Sequence, residues 1–382
     1  MNSDQIRIAF KETFHQEVAV VVRSPGRINL LGEHTDYNDG FVLPAAIDLA
    51  MFVAVAKAER QSCWVALDKE DKVELRHDQL EWVEGHWSNY IKGVVTELQK
   101  RGFFVPEFNA VFGGNIPEGA GLSSSAALET GFLVALDKLF DLGLSRLDIV
   151  QLAQAAENYF VGVNCGIMDM YANMMGREGQ LLQLDCRSLE VSYLPFNDPN
   201  YCLLLCNSRV KHALVDSAYN ARRRSCEEGV AVLQQYYPTV RKLRDVSMEM
   251  LQEVEAQLDA VTYRRCKYVI EEAFRMQRAS SALQNREFRT VGQIMFETHE
   301  GLRRDYEVSC PELDYLVEQA KAFEGVLGAR MMGGGFGGCS INLIEIGHLD
   351  LFKAKIKEQY QNRFQIEPAF YVVHLSGGTS ID

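Results

Sequence analysis

The stretch Gly114-Asn115-Ile116-Pro117-Glu118-Gly119-Ala120-Gly121-Leu122-Ser123-Ser124-Ser125-Ala126-Ala127 is a glycine-rich turn between a strand pattern and a helix pattern. Glycine lets the chain approach a ligand closely, and a helix start presents unpaired N–H groups and the positive end of its dipole. Ser123, Ser124 and Ser125 add hydroxyl donors at that helix start, together with a candidate magnesium ligand. These are the parts of a phosphate cradle. The plainer reading is that the serines cap the helix and the glycines turn the chain, and the density of both around one helix start weighs against it. The Gly-Lys-[Ser/Thr] ending of a P-loop is absent, which excludes a lysine grip on the phosphates.

Three further groups carry chemistry. Arg27-Ile28-Asn29-Leu30-Leu31-Gly32-Glu33-His34-Thr35-Asp36-Tyr37-Asn38-Asp39-Gly40 crowds an arginine, carboxylates and a histidine into one loop, offering the donors and acceptors that a polyol requires. A solvated charged loop is the alternative. Asp169 sits in Asn164-Cys165-Gly166-Ile167-Met168-Asp169-Met170, an apolar turn where a carboxylate needs a cationic partner. A carboxylate that accepts a hydroxyl proton is a standard base in phosphoryl transfer, and a helix cap is the competing role. Glu157 shares a helical face with Val150, Ala153 and Phe160, so it calls for a metal or a basic partner unless that face is an exposed edge.

The run Gly333-Gly334-Gly335-Phe336-Gly337-Gly338 satisfies G-x-G-x-x-G at 333, 335 and 338. The CSINLIEI that follows reads as a strand and not a helix, so a dinucleotide site, and with it an oxidoreductase, is excluded. The cluster is read as backbone lying beside a ligand or against the first glycine turn, with a tight hairpin as the alternative.

Positioning these groups requires strands and helices in a mixed order. Segments 18–22, 41–57 and 63–67 read as strands. From Leu122 a helix pattern begins, with Ala126, Phe132, Leu133, Leu136 and Phe140 on one face, and Ser145-x-x-Asp148 predicts a capping box for a second helix reaching about Phe160. Strands return over 180–206. Helical patterns occupy about 217–235, 249–258, 262–285 and 287–302, and a strand pair brackets the second glycine cluster. The fold class is α+β, with a boundary near Gly176–Gly179 dividing the chain into 1–177 and 178–382 and a cleft between the two parts.

The length of 382 residues fits two domains, and 47% apolar with 24% charged residues fits a globular chain. A net charge of −13 opposes binding to nucleic acid or to anionic membranes. The basic run Arg222-Arg223-Arg224 is read as a solvated face paired with Glu227 and Glu228. The polar start MNSDQIRIAFKETF and the lack of a long apolar run predict a cytoplasmic location. Nine cysteines without a Cys-x-x-Cys pair predict reduced thiols and no zinc. A small molecule is the expected partner, with no obligate protein partner.

RSPGRINLLGEHTDYNDGFVLP at 23–44 resembles the signature of the galactokinase family, and the motifs at 114–127 and 333–338 resemble the second and third motifs of the GHMP kinases. The resemblance implies a ribosomal-protein-S5-domain-2-like first domain, a ferredoxin-like second domain and an active site in the cleft. It implies transfer of the γ-phosphoryl group of MgATP to the C1 hydroxyl of D-galactose. By the same resemblance Asp169 is the base and Arg27 the cation beside it. Glu33, His34, Thr35, Asp36, Gly166 and Tyr219 contact the sugar, while Gly119, Ala120, Gly121, Leu122, Ser123, Ser124 and Ser125 hold ATP. Ser125 and Glu157 match the Mg2+ ligands. Trp87 resembles an aromatic of the adenine pocket, with a core tryptophan as the alternative. Met170 departs from the family, which carries glutamine after the aspartate. The same loops would serve a kinase for N-acetylgalactosamine or arabinose, or a non-catalytic galactose sensor; the intact Ser125-Ala126-Ala127, Asp169 and Arg27 speak against the sensor.

Overall fold

The computed structural model describes residues 1–211 and 215–382. Its first part runs α1 (Ser3–Phe14), β1 (Val20–Asn29), β2 (Phe41–Val42), β3 (Pro44–Lys57), β4 (Ser62–Ala66), β5 (Asp71–Leu75), α2 (Ser88–Lys100), β6 (Phe108–Gly114), α3 (Ser124–Phe140), α4 (Arg146–Ala156), α5 (Met168–Met175), β7 (Gln180–Asp185) and β8 (Val191–Pro195). The second runs β9 (Tyr201–Lys211), α6 (Val215–Tyr236), α7 (Met248–Glu253), α8 (Ala260–Gln284), α9 (Phe288–Arg304), α10 (Pro311–Lys321), β10 (Val326–Met331), β11 (Gly337–Glu345), α11 (Leu349–Phe364), β12 (Ala369–Val373) and β13 (Ser380–Ile381).

Successive residues of a strand point to opposite faces, so continuous apolar runs such as Val20-Val21-Val22 and Phe52-Val53-Ala54-Val55 need cover on both sides. They obtain it. Val20, Val22, Val53 and Val55 join the main core beneath α2 to α5, whereas Val21, Phe52 and Ala54 meet Ile6 and Phe10 of α1. The sheet order is β13-β1-β3-β6-β4-β5, antiparallel except for the parallel pair β4 and β6. A bulge in β1 between Pro25 and Arg27 shifts its register against β3, a device that re-aims a side chain.

The second sheet is antiparallel in the order β10-β11-β9-β12, the ferredoxin-like arrangement. One face, with Leu204, Cys206 and Ile344, packs on Leu316, Val317, Phe352 and Ile356. Its other face, with Leu203, Leu205, Ile341 and Leu343, enters the same core as the first sheet, through Ala279 and Leu283 of α8 and Val291 and Ile294 of α9. The expected division at 177/178 falls between α5 and β7, yet later residues complete the six-stranded sheet and a small antiparallel sheet in the order β2-β7-β8. Val42 pairs with Leu184 and Val22 with Ile381.

Ser145 and Asp148 form the expected capping box, each side chain accepting the other's backbone N–H at 3.1 and 3.0 Å. The helix they start is α-helical to Ala156 and continues as a π-helical turn over Glu157–Val161, so it reaches Phe160 as expected. All nine cysteines are free thiols. Among the described residues no helix is long and apolar enough to cross a membrane.

Helix α9 lies directly on β10. A Cβ at Gly292 would stand 2.1 Å from the carbonyl oxygen of Leu327, and one at Gly328 2.3 Å from Cα of Gly292. We expect Gly292→Ala to lower the unfolding free energy in urea by about 1–3 kcal/mol, overpacking outweighing the helix propensity that alanine adds. An unchanged or raised midpoint would show that the two backbones part freely.

Candidate active site

The bulge in β1 places Arg27 so that its backbone N–H donates to the carbonyl of Leu122 at 3.1 Å, pinning the glycine-serine turn to the strand. Its guanidinium meets Asp169 as a fork, Nε to Oδ1 and Nη2 to Oδ2, both at 2.8 Å, while Nη1 donates to the carbonyl of Gly121. Burial opposes the charge of Arg27, but Asp169, Glu33 and Asp36 outweigh it and raise its pKa. Asp169 stands in the first turn of α5, where the helix dipole favours a carboxylate, and it also accepts from Ser123 Oγ.

Ser123 caps α3 in a left-handed conformation, φ 56°, which turns the chain so that the first N–H groups of α3 open toward a cavity of about 280 Å3. Gly119, Ala120, Gly121, Leu122, Ser123, Ser124 and Ser125 all line it, as do Tyr90, Met332 and Gly334 to Gly338. The two glycine clusters meet backbone to backbone. Gly121 and Gly333 both have positive φ, 72° and 81°, and a Cβ on either would lie 3.1 Å from a carbonyl oxygen of the facing loop. Ser125 Oγ donates to Glu157 Oε1 at 3.1 Å. Beneath it Glu129 is fully buried, and burial with the neighbouring Glu157 carboxyl raises its pKa far above the usual range.

A second cavity of about 120 Å3 adjoins the first, sharing Arg27, Glu157, Val163 and Gly334 with it. Its walls include Glu33, His34, Asp36, Cys165, Gly166, Asp169 and Tyr219. Glu33, 2% exposed, accepts from the backbone N–H of Gly333 at 2.8 Å and from Arg330 at 3.1 Å. Burial lowers the His34 pKa to about 3, so the ring is neutral. Its Nε2 lies 3.3 Å from the Gly334 carbonyl and therefore carries the proton, which leaves Nδ1 to accept from Tyr37 at 2.7 Å. Burial, followed by Asp169, raises the Asp36 pKa to about 7. A Cβ on Gly166 would fall 1.9 Å from Asp36 Oδ2, so no side chain fits there.

The structure thus brings together all but two of the residues singled out in the sequence. Thr35 lies on the opposite face of its loop from the smaller cavity, its hydroxyl given to the carbonyls of Gly32 and Phe41, each at 2.8 Å. Trp87 is a core residue, packed edge-on against Phe112 with its indole N–H on Asp71 at 2.8 Å, and Tyr90 is the aromatic that lines the larger cavity. Met170 is wholly buried in the core, so the departure there does not touch the cavity. The reading of Arg222–Arg224 as a solvated face holds for Arg223, which meets Glu227 at 3.0 Å. Arg222 instead turns inward to the carbonyls of Tyr306 and Glu307 and over the Phe336 ring.

Sequence reasoning missed Arg330. It is fully buried and donates to the carbonyls of Asn29, Leu30 and Met331 as well as to Glu33. A charge inside the apolar strand VLGARMM, three residues before the glycines, was the available signal.

A bidentate Arg–Asp pair at the junction of a phosphate-type cradle and a carboxylate-lined cavity, on these two sheets, defines a GHMP-type small-molecule kinase. Matching family models cover residues 8–57 (galactokinase galactose-binding signature), 89–177 (GHMP kinases N terminal domain) and 279–362 (GHMP kinases C terminal). The chain belongs to the galactokinase family: it is 38% identical to the galactokinase of Clostridium beijerinckii, over 99% of this chain and 98% of the relative. It is 40% identical to that of Thermotoga neapolitana, over 94% and 98%. The crystal structure of Lactococcus lactis galactokinase complexed with galactose matches with TM-score 0.94 at 34% identity, over 99% of both chains. Methanococcus jannaschii mevalonate kinase, at 16% identity and TM-score 0.63 over 94% of this chain and 98% of its own, shares the fold.

Removing Arg330 strands a buried carboxylate. Arg330→Met should cost about 3–5 kcal/mol in denaturant unfolding, and Glu33→Gln in the same chain should recover part of it. Strict additivity of the two losses would show that the pair does not interact.

Proposed function

We propose that this chain transfers the γ-phosphoryl group of ATP to the C1 hydroxyl of α-D-galactose, giving galactose 1-phosphate and ADP. The observation that carries this reading is Asp169, held by Arg27 where the two cavities meet. A hydroxyl placed there has its acceptor on one side and the phosphate cradle on the other.

In this reading the smaller cavity orients the sugar. Glu33 and Asp36 accept from its hydroxyls, neutral His34 and Tyr219 complete the wall, Gly166 leaves the space, and Thr35 fixes the loop through its backbone bonds. Asp169 aligns the C1 hydroxyl and takes its proton as the oxygen attacks phosphorus. Arg27, whose charge is not spent on water, stabilises the negative charge that spreads over the phosphoryl oxygens, together with the first N–H groups of α3. Gly119 to Ser125 hold the phosphates, and the adenine end lies toward Tyr90. Ser125 Oγ and Glu157 Oε1, 3.1 Å apart, are two hard oxygens of the kind that Mg2+ accepts while phosphates and water complete its shell. When bound, the ion neutralises phosphate charge. The proposed setting is the cytoplasm, with galactose and ATP as partners.

Mg-dependent ADP release should be strongest with galactose among galactose, N-acetylgalactosamine, arabinose, glucose, homoserine and mevalonate. Asp169→Asn should cut that turnover about 10²–10⁴-fold with its circular dichroism unchanged. Galactose and ATP binding without turnover in the native chain would mark a sensor and overturn the reading.

Asp36 gives a pH test. Its pKa is raised to about 7 in the folded chain, so between the ordinary carboxyl value and about 7 the folded state binds more protons than the unfolded one, and stability falls as pH rises through that window. Sugar hydroxyls that donate to Asp36 favour its ionised form. Galactose binding at about pH 6 should therefore release a fraction of a proton, read by calorimetry in buffers of different ionisation heat. The release should vanish in Asp36→Asn. Proton uptake would contradict the assignment.

A further inference from the structure

A further cavity lies behind the site, not in it. It has a volume of about 550 Å3, against 280 and 120 Å3 for the two described above. Pockets that hold small ligands run to roughly 300–1,000 Å3. One face of α8 forms a wall of it, with Ile270, Ala273, Gln277 and Ser280 following the helical repeat. Gln183 of β7 and the Leu243–Asp245 turn stand among the opposing residues.

The remaining wall is the sugar-side loop itself. His34 and Asp36 look into the catalytic side, whereas Thr35, Asn38 and Phe41 line the cavity behind. A single layer of backbone separates the two spaces. Its rear side chains hold the backbone that carries the front ones: Asn38 donates to the carbonyl of His34 at 3.1 Å, and Thr35 to those of Gly32 and Phe41.

The chemistry of the walls selects an occupant. Arg244 is the one charged side chain lining the cavity among the described residues, and it is neutralised by Asp185, with Nη1 and Nη2 at 2.8 and 2.9 Å. Neither an anion nor a cation finds a partner there. Leu243, Val246, Ile270 and Phe274 supply apolar surface, and Gln183, Gln277 and Gln284 supply amide edges. Ser280 is only 6% exposed, and its hydroxyl has no hydrogen-bond partner among the described residues. A buried hydroxyl left in that state beside a cavity gains free energy if the polar edge of an occupant reaches it.

We propose that this cavity is a second ligand site, for an uncharged ring compound with hydroxyl groups along one edge, and that its occupant alters sugar affinity through loop 33–41. The coupling rests on the sugar role proposed for that loop; the binding does not. Phenyl β-D-glucopyranoside is a suitable probe, because its apolar ring and hydroxyl edge match the walls and its blocked anomeric oxygen cannot be phosphorylated at C1. Saturation-transfer NMR on the full chain, with galactose and β,γ-imido-ATP saturating, should show transfer to the probe. Ala273→Phe, which fills the cavity, should abolish the transfer, and Ser280→Val, which keeps the shape but removes the hydroxyl, should weaken it about fivefold or more. Melting curves would report whether each variant folds; should Ala273→Phe fail, Ser280→Val decides. Absence of transfer with galactose and the nucleotide saturating, or indifference to Ser280→Val, would overturn the site. The probe should also shift KM for galactose by about fivefold, with KM for ATP unmoved; binding without that shift would overturn the coupling alone.

Discussion

Arg27 and Asp169 meet as two planar groups, fork against carboxylate, and the pair draws β1, the first turn of α5 and the glycine-serine turn to one point. A guanidinium with a side chain only 5% exposed has lost most of its water, and without Asp169 that desolvation would stand uncompensated. The surrounding irregularities follow from this meeting. The bulge after Pro25 brings Arg27 round, and the left-handed Ser123 lets the chain enter α3 while its hydroxyl still reaches Asp169. A regular strand and a regular helix start would place neither group correctly.

A second buried charge pair works beside the first. Arg330 holds three backbone carbonyls and Glu33, and Glu33 in turn holds the N–H of Gly333. The loop that carries His34 and Asp36 is thereby fixed to the second glycine cluster, which itself rests on the first through the bare contact of Gly121 and Gly333. Geometry in the smaller and in the larger cavity is set by the same backbone.

Much of this was legible in the sequence, because long runs carry a period. A strand does form at VAVVV, but β1 begins at Val20 and runs on through a bulge to Asn29 instead of breaking at Ser24-Pro25-Gly26; the helix after Leu122 and the capping box at Ser145 form as read, since each rests on local patterning that tertiary contacts reinforce. The loop 33–40 has no period, which is why Thr35 was grouped with its neighbours although it points the other way. Trp87 offered an aromatic of the right type but not its orientation, and the contacts to Phe112 and Asp71 that fix it come from other segments. Apart from Met331, the partners of Arg330 lie some 300 positions upstream, beyond the reach of any local rule.

That separation has a consequence for how the molecule comes into being. His34 meets Gly334 and Glu33 meets Gly333 across 300 residues, and Arg27 meets Asp169 across 142. Contacts of such separation carry the largest loop-closure cost and form late. Partly organised chains therefore hold the helices and strands without the constellation that does chemistry. Turnover in a preparation counts completed molecules, and it is a stricter assay of folding than any spectrum of secondary structure.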